Sequence, residues 1–555
     1  MSDLSLERAA GSISRDDIAA ADMLVTMARR DGAAEPERLA RLGMCLALRT
    51  VRDGHTCVDL DRIVEWSGDL DATAPGRPPW PTAPGPWIRA LEAARTLVGE
   101  PGTRRPFILD GHRLYLARSL DEERSIAVSL RERFASRRVH ILLGGPGTGK
   151  TTTVATDLVG RFQAIRPGEA DPRVALAAPT GKAASRMTEA VRMACQRAEV
   201  SEELIARILR EPARTVHKLL GYHPGRRLQF EYHAGNRLPY DIVIIDEASM
   251  LSSTLMHHLL AAVDPAADIR LVGDPDQLAS VDAGTVLGDI ALVGGRPAPG
   301  SPLDGCITTL ETVHRAESKA ILDLARAIKE GAADEALGIL RAGDAAVAWV
   351  DPGASGRVDG LVEEVAAHAD ALRTAAHGGD SQAILRAKAA LQVLCAHREG
   401  PMGVSGWNAR IEKRLGVRPA DTWYAGRPVI VTRNSRALGL SNGDVGVVVP
   451  AGPRMEALFG IPEKPLRLPV SRLEDVDTVH AITIHKSQGS EYGHAVVVLP
   501  ERPSRIVTRE LLYTGVTRAR AKVTVVGSEA VIRAAIETRI RRATGLAHRL
   551  NAAAG

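Results

Sequence analysis

Aromatic residues are scarce in this chain of 555 residues, where Phe, Tyr and Trp together make up 3% of the sequence. Apolar residues nevertheless account for 45% of it and charged residues for 25%, a balance typical of globular proteins. The buried cores must therefore consist mainly of Ala, Val, Leu and Ile. A chain of this length favours roughly three to four compact units over a single one.

Cysteine is also rare. The five cysteines are far apart, and no two of them form a C-x-x-C pair; they are Cys45, Cys57, Cys195, Cys306 and Cys395. This spacing disfavours a zinc site, an iron–sulfur cluster and a disulfide framework. His55 beside Cys57 does not change that conclusion, because two ligands do not make a metal site.

Long apolar runs are missing as well. No run approaches about eighteen residues, the length that a membrane-spanning helix needs. Residues 1–32 mix acidic and basic side chains and contain no apolar core typical of a signal peptide. We therefore expect a cytoplasmic protein without a membrane partner. The formal net charge of +4 permits a nucleic-acid partner but is too small to require one.

A phosphate-loop motif, G-x-x-x-x-G-K-[ST], is present at 144–151. The apolar run 139–143 before it predicts a buried strand, and residues 151–159 after it predict a helix whose N-terminus faces the phosphates. Lys150 would reach the β- and γ-phosphates of a nucleotide, and the Thr151 hydroxyl would be a ligand of Mg²⁺. The residues assigned to nucleotide binding in this stretch are Gly144, Gly145, Pro146, Gly147, Thr148, Gly149, Lys150, Thr151 and Thr152.

Two acids follow a second apolar run, about a hundred residues after the phosphate loop. The run 241–245 predicts a strand that delivers Asp246 and Glu247 to a ligand crevice. Asp246 can hold Mg²⁺ together with Thr151, and Glu247 can orient or deprotonate an attacking water. Gln277 follows a third predicted strand, 269–273, and is a candidate sensor of the γ-phosphate. Alone, each of these stretches could be an ordinary surface turn. Their position after a phosphate loop favours a role at the nucleotide.

Composition and hydrophobic periodicity divide the chain into three regions. Residues 1–119 have mainly helical periodicity and no catalytic constellation, which favours a scaffold or a docking module. Residues 120–290 contain the phosphate loop and a polar excursion at about 222–239, and residues 291–555 form the third region. Short β segments with Gly and Pro turns at about 420–475 predict a small β-barrel insertion within that third region.

Two local predictions concern the first region and the C-terminal tail. Asp110-Gly111 lies between two short apolar runs and is a turn signal that predicts a β-hairpin. The basic tail from Thr538 onward predicts a helix.

The order of these stretches along the chain resembles that of the motifs in superfamily 1 helicases, and specifically in their 5′-to-3′ branch. Seven stretches stand where that branch carries motifs I, Ia, II, III, IV, V and VI, which is a very specific resemblance. They are 144–151, Thr180–Ala184, Asp246–Ser249, Gly273–Leu278, Arg315, Thr483–Glu491 and Tyr513–Ala519. The resemblance implies an α/β fold with two RecA-like P-loop motor domains, an SH3-like β insertion and a mainly helical N-terminal domain.

The resemblance also implies roles for single residues. ATP with Mg²⁺ would bind between the two motor domains, with Thr151 and Asp246 at the metal. The implied catalytic residues are Lys150, Thr151, Asp246, Glu247 and Gln277 from the first motor domain and Arg315 and Arg518 from the second. Gly489 and Glu491 would contact the nucleotide. The implied DNA contacts are Thr180, Lys182, His217, Thr483, His485 and Ser487.

Within this branch the chain resembles the RecD family, the alpha subunits of exodeoxyribonuclease V (RecBCD). The stretches that carry this likeness are Gly54–Leu60, Leu114–Arg118 and Asn434–Asp444. The resemblance implies a subunit that acts on single-stranded DNA and on double-stranded DNA ends during double-strand-break repair, together with RecB and RecC. One departure stands out, because the family often reads adenine with a glutamine upstream of the phosphate loop, and Glu122–Ala127 contains none.

Three other functions have to be weighed. A nuclease is disfavoured because no cluster of carboxylates with a lysine occurs outside the nucleotide site, so nuclease activity is expected in the partner subunits. A non-motor ATP switch or scaffold is disfavoured because it would not need Lys150, Glu247, Arg315 and Arg518 together. A free-standing helicase of the same family stays open as an alternative.

Overall fold

The computed structural model describes residues 13–30, 34–66, 80–166, 168–223, 230–294, 303–313, 318–418, 421–435, 437–461 and 464–551. Over these residues the chain forms two parallel sheets flanked by helices, an antiparallel sheet inserted in the second half, and a small N-terminal unit. The α/β fold class predicted from the sequence is confirmed.

The N-terminal unit packs helices against a small sheet whose strand order is β1-β4-β3-β2. Its elements are α1 (Arg15–Arg30), α2 (Arg38–Thr50), β1 (Cys57–Asp59), α3 (Pro84–Ala93), β2 (Val98–Gly99), β3 (Phe107–Asp110) and β4 (Arg113–Leu116). Trp66, Trp80 and Trp87 all lie in its core. A unit this small has little volume for a core, so large aromatic side chains supply much of its buried apolar surface.

The hairpin β3–β4 forms as predicted, with its turn shifted by one residue. Asp110 pairs with Arg113, so the two turn residues are Gly111 and His112. Gly111 adopts a positive φ of 58°, which glycine reaches without steric cost. Asp110 is therefore the last residue of a strand.

The first parallel sheet has the strand order β10-β5-β9-β8-β6-β7. Its strands are β5 (Val139–Gly144), β6 (Val174–Ala178), β7 (Arg214–Thr215), β8 (Ile242–Ile245), β9 (Asp268–Gly273) and β10 (Ile307–Leu310). Its helices are α4 (Ala117–Ala135), α5 (Lys150–Gln163), α6 (Gly181–Arg197), α7 (Glu202–Ile208), α8 (Val216–Leu219), α9 (Ser253–Ala262) and α10 (Val286–Gly294). Because β10 pairs with β5, this sheet extends past residue 290, and we propose a domain boundary after Leu310.

The second parallel sheet has the strand order β11-β20-β19-β12-β18. Its strands are β11 (Val347–Val350), β12 (Leu391–Cys395), β18 (Ala481–Thr483), β19 (Tyr492–Val498) and β20 (Ala519–Val526). Its helices are α11 (Lys319–Glu330), α12 (Ala333–Ala342), α13 (Arg357–Gly378), α14 (Ser381–Ala390), α15 (Val404–Arg414), α16 (Arg509–Val516) and α17 (Glu529–Glu537). Continuous Val-rich strands such as β19 are buried on both faces, as expected of a parallel sheet covered by helices.

The inserted antiparallel sheet has the strand order β16-β15-β14-β13-β17. Its strands are β13 (Pro428–Val431), β14 (Val445–Ala451), β15 (Arg454–Ile461), β16 (Lys464–Pro469) and β17 (Val476–Thr478). The loop between β13 and β14 approaches the helices of the first parallel sheet, since a Cβ built on Gly181 would lie 3.0 Å from the Cβ of Ser441.

The C-terminal segment returns from the second sheet to the first half of the chain. The predicted helix begins only at Leu546, as α18 (Leu546–Asn551), whereas residues 538–545 are not helical. Leu546 and Leu550 lie in the core beneath the first parallel sheet, and Ala543 lies in the core of the N-terminal unit. Helical periodicity is overridden here because the backbone of this segment bonds to other parts of the chain. No helix among the described residues has the length and apolar character to cross a bilayer.

Candidate nucleotide site between the parallel sheets

The phosphate loop connects the end of β5 to the start of α5. Gly147 and Gly149 have positive φ values of 77° and 82°, which allow the loop to curl around an anion with its N–H groups pointing inward. A Cβ on Gly144 would lie 2.7 Å from the hydroxyl oxygen of Thr148, so only glycine fits there. The Lys150 ammonium lies over the loop, where its Nζ donates to the carbonyl oxygens of Gly144 and Gly145 at 2.6 and 2.9 Å. These features make a cradle for nucleotide phosphates.

The two acids predicted from the sequence lie beside this cradle. The Thr151 hydroxyl donates to Oδ2 of Asp246 at 2.9 Å, while Oδ1 of Asp246 accepts the Glu247 backbone N–H at 2.8 Å. A hydroxyl and a carboxylate are oxygen donors of the kind that Mg²⁺ takes from a protein when phosphates supply others. Thr151 and Asp246 therefore fit the metal that accompanies a bound triphosphate.

Glu247 is held in an uncommon conformation. Its φ of 52° lies in the left-handed region, which a non-glycine residue adopts rarely. Burial raises the pKa of the Glu247 carboxyl, and the charge of Asp246 raises it further, while Arg518 and Lys150 oppose the shift. A carboxylate with a raised pKa is a better base than an exposed glutamate, which suits a group that takes a proton from water.

The second sheet contributes Arg518, which immediately precedes β20. Its Nη2 donates to Oε1 of Gln277 at 3.0 Å, and its other nitrogens donate to the carbonyl oxygens of Ser490 and Thr514. Gln277 in turn donates from Nε2 to Oδ2 of Asp274 at 3.0 Å. The structure thus brings predicted residues from both sheets, more than two hundred residues apart in sequence, into one buried contact.

The opposite wall of the pocket joins α6 to the loop before β19. Arg186 donates to the carbonyl oxygen of Gly489 at 2.6 Å and pairs with Glu491 at 3.2 Å. The Lys182 ammonium donates to the hydroxyl oxygen of Ser490 at 2.6 Å. One pocket is consequently lined by residues from both halves of the molecule. Its lining residues from the first half are Pro146, Gly147, Gly149, Lys150, Thr151, Ala183, Arg186, Ala190, Asp246, Glu247 and Gln277, and those from the second half are Gly489, Glu491 and Arg518.

The residues predicted to contact DNA are spread over both halves of the chain, on helices, turns and strand ends, with Lys182 on α6 and His217 on α8. Thr180 caps α6, where its hydroxyl accepts the Ala183 N–H at 3.2 Å, and Thr483 ends β18 and accepts the Lys486 N–H at 3.3 Å. The His217 ring lies among aromatic rings, 5.6 Å from that of Tyr222, and burial lowers its pKa.

Two predicted residues need comment. Ser487 is fully buried, and its hydroxyl donates to the carbonyl oxygen of Ile484 at 2.6 Å, so the side chain is engaged within the protein and its DNA contact stays a prediction. Burial of this hydroxyl stabilises the turn that presents His485, whose pKa is also lowered by burial. Arg315 lies outside the described residues.

Three family models match the chain. The AAA domain model matches residues 126–283, and the model of the UvrD-like helicase C-terminal domain matches residues 478–526. The model of the RecBCD enzyme subunit RecD, N-terminal domain, matches residues 9–115. The first two matched segments contain the two halves of the pocket described above.

The RecBCD enzyme subunit RecD of Mycolicibacterium smegmatis is 43% identical to the chain over 557 residues, covering 94% of this chain and 95% of that protein. The chain belongs to the RecD family of helicases. The ATP-dependent RecD2 DNA helicase of Deinococcus radiodurans is 32% identical to it, over 78% of this chain and 53% of that protein. Among solved structures, the Pif1 helicase from Candida albicans has a TM-score of 0.39 at 14% identity, covering 74% of this chain and 96% of that one.

Sequence reasoning missed residues of this RecD-family site that act across the cleft. Arg186 has no motif of its own, and its position one helical turn after Lys182 was the only available signal. The Tyr513 hydroxyl approaches Oδ2 of Asp274 at 3.4 Å, and burial raises the pKa of Asp274. Both contacts depend on how the two motor domains pack.

The absence of an upstream glutamine also has a structural counterpart in this RecD-family chain. Glu123, on α4, is fully buried, and its carboxylate accepts the Gly545 backbone N–H at 3.1 Å and the Tyr115 hydroxyl at 3.2 Å. The neighbouring Glu122 accepts the Thr254 hydroxyl at 2.7 Å. Glu122 and Glu123 are therefore both engaged in contacts within the protein.

Proposed function

We propose that this chain moves 5′-to-3′ along a single DNA strand as the ATP-driven RecD subunit of a RecBCD helicase-nuclease in double-strand-break repair. Membership of the RecD family makes the chain an ATP-dependent DNA helicase; polarity, the metal and the partners are the proposal. The observation that carries it is the pocket built by both motor domains, in which Lys150 and Glu247 face Arg518.

Hydrolysis can be derived from the residues of that pocket. Backbone N–H groups of the phosphate loop and Lys150 bind the phosphates of ATP, and Thr151 with Asp246 would hold Mg²⁺. Bound Mg²⁺ supplies positive charge that offsets the charge of the phosphates. Glu247 accepts a proton from the attacking water, while Gln277 and Arg518 orient and stabilise the transferring phosphoryl group.

Motion follows from the contacts across the cleft. Arg518 bonds to Gln277, and Lys182 bonds to Ser490, so both hydrogen bonds hold the two motor domains together. Loss of the γ-phosphate would remove a ligand shared by the two domains and leave these hydrogen bonds to hold the cleft closed. The loops of Thr180 and Thr483 belong to different motor domains and would grip the DNA backbone alternately. Contacts to backbone phosphates are independent of base sequence, as a translocating motor requires.

We assign the N-terminal unit to partner docking, with RecB and RecC as the expected partners and the cytoplasm as the expected location. Support comes from α1, where Met23 and Met27 are 59% and 55% exposed. They are four residues apart and therefore neighbours on one face of the helix. A contiguous exposed apolar patch is a common mark of a protein–protein interface, and this pair would form part of one.

The deciding experiment is co-expression of the chain with RecB and RecC, followed by unwinding of DNA with a 5′ or a 3′ single-stranded tail. To isolate this motor, the RecB motor is inactivated in every preparation. We expect a stable heterotrimer that unwinds from the 5′ tail, and no unwinding when this chain carries Lys150→Ala. A monomer that unwinds alone with the same polarity would instead identify a free-standing helicase, and unwinding from the 3′ tail would overturn the polarity.

A further inference from the structure

A half-buried arginine from the C-terminal segment, Arg542, holds the loop that follows Gln277. Nη1 of Arg542 donates to the carbonyl oxygens of Asp282 and Gly284 at 2.7 and 2.9 Å and to the Ser280 hydroxyl at 3.3 Å. Nη2 of Arg542 donates to the carbonyl oxygen of Ser280. A guanidinium presents its N–H donors in one rigid plane, so a single side chain can fix several carbonyls at once. Because the main partners are carbonyls, the contact fixes the course of the main chain from 280 to 284.

The N-terminal unit takes part in the same contact through Gly54. The Gly54 carbonyl oxygen accepts the Gly284 N–H at 3.0 Å, and the Thr56 N–H donates to the carbonyl oxygen of Ala543 at 3.0 Å. Gly54 has a φ of 83°, and a Cβ built there would lie 2.9 Å from Cζ of Arg542. We call this meeting point of Gly54, the 280–284 loop and Arg542 the three-way junction.

The three-way junction is three residues from a side chain of the nucleotide pocket. Between Gln277 and Ser280, the Leu278 N–H donates to the Thr514 hydroxyl at 3.1 Å, which ties this short loop to the second motor domain. The C-terminal segment is tied to the same motor domain, because the Ile540 N–H donates to Oε2 of Glu510 at 3.0 Å. Glu510 and Thr514 both lie on α16, the helix that leads to Arg518. Arg542 therefore connects the loop of Gln277 with the helix of Arg518.

We propose that Arg542 is a positioning residue for ATP hydrolysis, which keeps Gln277 aligned with Arg518 and makes that alignment depend on the N-terminal unit through Gly54. The proposal rests on the role assigned above to Gln277. It places the N-terminal unit in the hydrolysis cycle as well as at the partner surface.

The test uses Arg542→Ala in the 555-residue chain, with Arg541→Ala as a matched control, because Arg541 is the exposed neighbour. We expect Arg542→Ala to lower the kcat of DNA-stimulated ATP hydrolysis about 10- to 100-fold, since small displacements of an aligned group cost that much. Binding of a fluorescent ATP analogue should change by less than about threefold, because the phosphate loop is intact. Arg542→Lys should recover part of the rate, and Arg541→Ala should match the unchanged chain. An unchanged kcat in Arg542→Ala overturns the proposal.

A double-mutant cycle distinguishes positioning from general destabilisation. If Arg542 acts through Gln277, Arg542→Ala should cause no further loss of kcat in a chain that already carries Gln277→Ala. Full additivity of the two losses overturns the proposal, whereas full activity of Gln277→Ala alone overturns the role assigned to Gln277. Gly54→Ala retains Arg542 in the sequence but places a Cβ 2.9 Å from its Cζ, so it should displace the guanidinium from the three-way junction and lower kcat about tenfold. A normal kcat in Gly54→Ala refutes the dependence on the N-terminal unit, even where Arg542→Ala fails to fold.

Discussion

Arg518 and Gln277 are hydrogen-bonded across the cleft between the motor domains, with Nη2 of Arg518 3.0 Å from Oε1 of Gln277. Both side chains are buried, at 3% and 5% exposure, so the bond is shielded from competing water. Opening of the cleft has to break it. The contact therefore links the nucleotide pocket to the relative position of the two sheets.

Replacement of this arginine should separate binding from hydrolysis. We expect Arg518→Ala to lower kcat at least about 100-fold, because an arginine at the transferring phosphoryl group stabilises the transition state by that order or more. Nucleotide affinity should fall much less, since the phosphate loop belongs to the other domain. Arg502→Ala, at an exposed position of the second motor domain, serves as the control. A kcat within about threefold of the unchanged chain would contradict this role.

Lys150→Ala should abolish ATP hydrolysis and leave the fold intact. The Lys150 side chain is partly exposed and bonds to the carbonyls of Gly144 and Gly145, so its removal takes away a phosphate contact and no core volume. The measurements are steady-state hydrolysis and a thermal melting curve of the same preparation. Normal turnover with a normal melting curve would show that ATP is hydrolysed elsewhere.

Glu247→Gln should bind ATP and fail to hydrolyse it, because the amide keeps the shape of the side chain and loses the base. In the unchanged chain, the raised pKa of Glu247 gives a second expectation. The carboxylate must be deprotonated to accept a proton, so kcat should fall as the pH is lowered and the carboxyl group becomes protonated. ATP binding measured at each pH is the control. Loss of binding in Glu247→Gln would mean that Glu247 serves binding or folding.

Much of the pocket could be predicted because each motif follows a continuous apolar strand. β5, β8 and β9 are parallel, and parallel strands deliver the loops at their carboxyl ends to one edge of the sheet. Gly147 and Gly149 are required by local backbone conformation, which sequence patterns report directly.

The remaining contacts could not be predicted because they depend on how distant segments pack. Nothing near Arg186 in the sequence points to Glu491, and nothing near Arg542 points to the 280–284 loop. Residues 538–545 have helical composition, yet their backbone groups bond to Thr56, Glu123 and Arg509 instead. The bond from the Ser487 hydroxyl to the Ile484 carbonyl is likewise invisible in the sequence, where the motif suggests a DNA contact for this residue.

The exposed methionine pair gives a prediction about assembly. The double variant Met23→Glu, Met27→Glu puts two charges on an apolar face of α1 and should greatly weaken co-purification with RecB and RecC, because an interface core disfavours unpaired charge. ATP hydrolysis by the chain itself should be unchanged. Met193→Glu, at a methionine that is 46% exposed on α6 of the first motor domain, is the matched control. Normal assembly of the double variant would place the docking surface elsewhere.

The last prediction concerns pH at the junction between the N-terminal unit and the C-terminal segment. Nδ1 of His55 accepts the Ala543 N–H at 2.9 Å, which only a neutral imidazole can do. Burial, together with the charge of Arg542, lowers the pKa of His55 to about 4 against the opposing charge of Asp53.

The sign of the pH effect follows from this lowered pKa. In the unfolded chain, His55 takes up a proton near the ordinary histidine pKa of about 6.5. The free energy by which neutral His55 stabilises the folded junction is therefore complete above that pH and is lost as the pH falls toward 4. The loss is at most about 3 kcal/mol. Hydrogen exchange of the Ala543 amide, corrected for the intrinsic rate at each pH, should report it. His55→Asn, whose Oδ1 can accept the same bond without titrating, should remove the dependence, whereas the exposed His377→Asn should leave it unchanged. Equal pH dependence in His55→Asn and the unchanged chain would mean that another group destabilises the junction in acid.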